Sequence, residues 1–124
     1  MVDLVTLVFG IIYFGAGMVG FLLAPNGGLL LGIFQVSTFH HFFHIGIGAL
    51  GIIAGWKKKG RLYCGGAGIL LLFLSVLGFI APMPVGRLLA SPTANLLTDN
   101  MLHLVTGAIL SYFGWIALTP DQHR

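Results

Sequence analysis

Residues that ligate metals or pair across helices occur twice in this chain on one spacing. His41-Phe42-Phe43-His44 is followed by Gly48, and Asn100-Met101-Leu102-His103 by Gly107, so each later position lies 59 residues after its counterpart (41 to 100, 44 to 103, 48 to 107). Imidazole is an axial ligand of haem iron and a ligand of borderline divalent metals. On a helix, residues four apart share a face. His40, His44 and Gly48 therefore form one stripe, and Asp99, His103 and Gly107 the matching one. His41 and Asn100 are turned about 100° away from them.

Three chemistries use these residues. The plainest is helix glue: imidazoles and amides bond across helices while Gly48, Gly51, Gly55, Gly65, Gly66, Gly68 and Gly107 let backbones approach. The second is a tetrapyrrole, haem b or chlorophyll, with His44 and His103 as axial ligands. Gly48 and Gly107 would then leave room for the ring, and Phe39, Phe42, Phe43, Tyr112 and Phe113 would line it. The third is a metal site of His40, His44 and His103, with Asp99 as a further ligand or as a carboxylate orienting a histidine; zinc suits such a donor set.

Other chemistry is excluded or unsupported. The chain has no glutamate to serve as a general base and no H-E-x-x-H, so metalloprotease chemistry is not expected. Cys64 is alone and forms no internal disulfide. The glycines are dispersed instead of forming a phosphate loop, and no charge lies mid-span where an ion path would need one. Ser75, Thr106 and Ser111 are polar residues deep in apolar runs, each expected to bond back to the preceding helical turn. The expectation is a protein that is not an enzyme, with no nucleic-acid partner and no soluble substrate.

The elements that must position these residues follow from composition. Of the 124 residues, 57% are hydrophobic and only 7% charged, with a mean hydropathy of +1.01. A soluble domain of this size cannot hide that much apolar surface. Four runs are long enough to cross a bilayer as helices: Leu4 to Ala24, Phe39 to Trp56, Leu62 to Ala81, and Asn100 to Leu118. The first lacks a basic leader and carries Asp3, so it reads as a retained span, not a cleaved signal. Ala24-Pro25-Asn26-Gly27-Gly28, Pro82 with Pro84, and Pro120 end helices; Ser37 or Thr38, and Thr98 or Asp99, are suited to cap the second and fourth. Gly27 to Phe34 is too short to span and too apolar for a free loop, so it reads as an interfacial or re-entrant piece, with Val85 to Leu97 as its counterpart.

The repeat extends into the first helix of each pair. Gly20-Phe21-Leu22-Leu23-Ala24-Pro25 answers Gly78-Phe79-Ile80-Ala81-Pro82, from 20 to 78. The expected architecture is a single all-α integral membrane domain over 1–124: a four-helix bundle of two parallel two-helix repeats, about 1–59 and about 60–124, with short interfacial segments after helices one and three. Lys57, Lys58, Lys59 and Arg61 crowd the second connection, Arg124 falls on the same side, and Arg87 on the other. That bias places both termini and the 57–61 loop in the cytoplasm.

The stretches Leu31-Gly32-Ile33-Phe34, His40-His41-Phe42-Phe43-His44-Ile45-Gly46-Ile47-Gly48 and Asp99-Asn100-Met101-Leu102-His103 resemble the bacterial four-pass membrane family catalogued as domain of unknown function 4383. In that family the first motif reads His-Asn-x-x-His; here His41 stands at the Asn position. The resemblance implies four helices in a bacterial inner membrane or cyanobacterial thylakoid, and no established activity. With bulky residues facing outward, the role expected is an accessory or scaffold subunit. Its partners would be the lipid bilayer and other membrane helices, either its own copies or those of a larger respiratory or photosynthetic complex.

Overall fold

The computed structural model describes residues 1–81 and 97–117, without the side chain of Gln35. Helix α1 spans Val2–Leu23, α2 Thr38–Trp56 and α3 Gly60–Ile80, each long and apolar enough to cross a membrane. Helix α4, Leu97–Ser111, runs on as a π-helical segment, Tyr112–Ile116. Pro82, Pro84, Arg87, most of the Val85 to Leu97 piece, Leu118, Pro120 and Arg124 lie outside the described residues.

The helix ends match most of the punctuation. Ser37 caps α2, its hydroxyl accepting from the His40 amide at 3.1 Å, and Ala24 follows α1 with its amide donated to the Gly20 carbonyl. The fourth helix departs from expectation: Thr98 and Asp99 are already helical instead of capping from outside. Asp99 and Asn100 are buried, so these cap-forming residue types serve here as first-turn residues facing neighbours.

The apolar piece after α1 forms a short two-stranded antiparallel hairpin, β1 (Gly28–Leu30) with β2 (Phe34–Val36), within an otherwise all-helical fold. Gly27, Gly28 and Gly32 take φ of 83°, 120° and 75°, and Leu31 is left-handed at 53°. Glycines in that region stop a helix and turn the chain, and strand pairing then satisfies backbone groups that an apolar segment cannot leave bare. Thr38 Oγ1 donates to the Pro25 carbonyl at 3.0 Å, closing the base of the hairpin.

The helices pack as α1 on α2 and α3 on α4, through glycines at equivalent places. A Cβ on Gly48 would strike the Phe14 backbone and lie 2.8 Å from the Gly10 carbonyl; on Gly107 it would lie 2.9 Å from Leu72 N and 3.1 Å from the Gly68 carbonyl. Gly20 is filled by the His41 ring and Gly78 by the Asn100 amide. Between the pairs, Thr6 Oγ1 meets Cys64 Sγ at 3.1 Å, two residues 58 apart. Such close backbone contact is how helices associate where lipid supplies no hydrophobic drive.

Only 28%, 33% and 39% of the spanning windows of α1, α2 and α3 are buried within the chain. Large apolar side chains along α1, α2 and α3, among them Leu4, Ile11, Leu22, Leu62 and Phe73, face outward. Tyr13, Ile47, Ala67, Leu71 and Leu110 form the interior. Thr106 does bond back to its own helix, to the Leu102 carbonyl at 2.8 Å. Ser75 instead crosses to the Asn100 carbonyl at 2.8 Å, tying α3 to α4, and Ser111 Oγ finds no hydrogen-bond partner among the described residues. Ser75→Ala therefore costs about 1 kcal/mol of stability, read as a lower SDS midpoint in a denaturation titration. An unchanged midpoint would mean that the interhelical bond contributes nothing.

Candidate metal centre

The Ser37 cap fixes the first turn of α2, which presents His40, His41 and His44 on its opening turns. Helix α4 carries His103 toward the same place. Ligand nitrogens of His40, His44 and His103 lie within 4.8 Å of one another. The ring centroids stand 4.3 Å apart for His40 and His44, 5.9 Å for His40 and His103, and 6.4 Å for His44 and His103. The three rings are 2%, 9% and 3% exposed. Nε2 of His44 and of His103 has no hydrogen-bond partner among the described residues.

A buried polar atom without a partner costs about 1–3 kcal/mol. Both rings belong to a triad whose ligand nitrogens approach within 4.8 Å, and a shared ligand would satisfy both at once. Tetrahedral zinc holds imidazole nitrogens at about 2.0–2.1 Å, which sets them roughly 3.3 Å apart. The triad would close by on the order of 1.5 Å to grip an ion, a movement within reach of imidazole side-chain rotation. Histidines one helical turn apart supply two ligands from one rigid element, and α4 supplies the third.

Asp99 stands outside that triad of nitrogens. Its carboxyl lines the cavity wall beside His40 and His44, the place of a group that orients a ligand or compensates its charge. His41 turns away, as its one-residue step requires: Nε2 donates to the Ala24 carbonyl at 2.7 Å, and the ring packs on Phe21 at 5.1 Å. It ends α1 by satisfying a terminal carbonyl. Asn100, its counterpart, lies against Gly78.

Cβ atoms at Gly48 and Gly107, the positions foreseen as room for a flat macrocycle, would meet α1 and α3, and the His40 ring centroid stands 4.3 Å from that of His44 and 5.9 Å from that of His103. Of the aromatic residues expected around such a ring, Phe39, Phe42 and Tyr112 are at least half exposed, Phe43 stands 6.4 Å from His44, and Phe113 packs on Tyr112 and against the core.

Two neighbours of the triad were not singled out from the sequence. Tyr13 of α1 sets its ring edge-on to His44 at 5.2 Å, and its hydroxyl pairs with Thr106 at 2.9 Å. The spacing of Thr6, Gly10, Tyr13, Gly17 and Gly20, all buried on one face of α1, carried that signal. The hairpin is the other: Leu30, Leu31, Phe34 and Val36 wall a cavity of about 260 Å³ that reaches His40 and His44.

No curated protein and no solved structure matches the chain. A family model does match, over residues 4–116, a stretch that includes most of α1, all of α2, α3 and the hairpin, and every histidine of the triad. The chain belongs to the family described as Domain of unknown function (DUF4383).

Proposed function

We propose that this chain is a four-span membrane protein, built as two parallel copies of one helical hairpin, that binds a divalent transition metal, zinc foremost, through His40, His44 and His103. The observation that carries the metal is the convergence of three buried ligand nitrogens to within 4.8 Å. Neutral imidazoles favour zinc and its borderline neighbours over magnesium or calcium, which take oxygen ligands. Three protein ligands leave one tetrahedral position open.

Duplication is supported by the matched glycine contacts and by the buried positions, which follow one another at Thr6, Gly10, Tyr13, Gly17 and Gly20 in α1 and at Cys64, Gly68, Leu71, Ser75 and Gly78 in α3. The fourth span is α4 with its π-helical continuation. Lys57, Lys58, Lys59 and Arg61 favour a cytoplasmic α2–α3 connection, which puts the metal at the opposite membrane face. An accessory role is favoured by the broad outward apolar surface, which offers other helices a place to dock. Within that role the ion holds α2 of one pair to α4 of the other.

Metal analysis of the protein purified without added metal or chelator tests the central claim. One equivalent of zinc or a neighbouring divalent ion per chain is expected, with no Soret or chlorophyll absorption. A metal-free preparation that takes up no zinc on dialysis removes the proposal, and a Soret band lost on His103→Ala revives the tetrapyrrole.

A further inference from the structure

A site with an open coordination position is defined by what can reach it. Beside the triad lies the cavity of about 260 Å³, lined by His40, His41, His44 and Asp99 and otherwise by apolar residues of α1, the hairpin and Leu102. Its rim is open to the acyl-chain surroundings: Val19 is 45% exposed, Leu31 70% and Leu102 39%. A water occupies about 30 Å³, so the space suits roughly eight or nine groups of methylene size.

Charge narrows the occupant. A divalent ion on three neutral imidazoles beside one carboxylate leaves a net single positive charge, and no Lys or Arg among the described residues lines this wall. A monoanionic head balances it, and an alkyl tail matches the walls. We propose that the site binds a medium-chain fatty carboxylate, its head on the open metal position and its tail along α1 under the hairpin. This rests on the metal reading above.

Gly15 provides the decisive variant. It lines the cavity, and a Cβ built there meets nothing within 4 Å, so Gly15→Leu fills the space without displacing backbone. The experiment uses full-length protein in nanodiscs, loaded with cobalt(II), whose visible spectrum reports the metal's ligands. Acetate, butanoate and octanoate are titrated by free aqueous concentration. Each buried methylene strengthens binding up to about fourfold, so octanoate is expected to bind at least twentyfold more tightly than butanoate. In Gly15→Leu the cobalt spectrum and acetate affinity persist while octanoate loses at least tenfold.

Equal affinities for the three acids, or undiminished octanoate binding to Gly15→Leu, overturn the fatty-carboxylate site and leave the metal site standing. Protein that takes up no cobalt overturns both.

Discussion

His44→Leu is expected to have opposite effects on stability with and without metal. In metal-free protein the substitution removes a buried imidazole whose Nε2 has no hydrogen-bond partner among the described residues, so stability stays level or rises by up to about 2 kcal/mol. With zinc present the same variant is the weaker protein. Structural zinc sites are worth roughly 10–16 kcal/mol shared among their ligands, so losing one of three costs about 4 kcal/mol, or about a thousandfold in affinity. Because a ligand stabilises only the state that binds it, zinc should raise the melting temperature of the parent far more than that of the variant. His103→Leu should behave alike. If either variant is destabilised equally with and without zinc, the histidines are interhelical packing groups and the metal reading fails.

The second large effect separates glycines on one helix. Gly46 and Gly48 lie two residues apart in α2, yet a Cβ on Gly46 meets nothing within 4 Å, while one on Gly48 strikes the Phe14 backbone and stands 2.8 Å from the Gly10 carbonyl. Backbone cannot rotate aside as a side chain can. Gly46→Ala should therefore be neutral or stabilising by up to about 1 kcal/mol, the helix-propensity gain. Gly48→Ala should cost at least about 3 kcal/mol, at the upper end of overpacking penalties. The pair recurs on α3, where a Cβ on Gly66 meets nothing within 4 Å and one on Gly68 would lie 2.5 Å from Ser111 N, and the same contrast is expected there. SDS titrations of the four variants decide it; equal costs at open and closed positions would mean that glycine matters here for backbone freedom and not for helix contact.

The three long apolar helices were legible because a run of apolar residues long enough to cross a bilayer leaves few alternatives. Helices α1 to α3 begin and end within two residues of the limits drawn from hydropathy and turn residues. The start of α4 was not legible, since Thr98 and Asp99 are chemically as fit to cap a helix as to sit in its first turn, and only the neighbouring surface decides. The hairpin was hidden for a related reason: three-residue strands show no periodicity, and the one available signal was the pair of breaks at Gly27-Gly28 and Gly32.

The candidate site was half readable. Helical spacing put His40 beside His44, and the repeat offset pointed to His103. What faces a glycine is not written in its own neighbourhood, so Gly48 and Gly107 read as seats for another helix or as space for a ring; a Cβ on either would meet the neighbouring helix. Ser75 likewise had a local partner within reach and took a remote one.

Thr6 and Cys64 touch at 3.1 Å, and their separation along the chain is the period that relates Gly20 to Gly78. Corresponding atoms in two copies come together only on the line about which one copy is rotated into the other. On the proposed duplication the contact lies on the axis relating the halves, and a hydroxyl there faces a thiol, so the two copies differ where they meet.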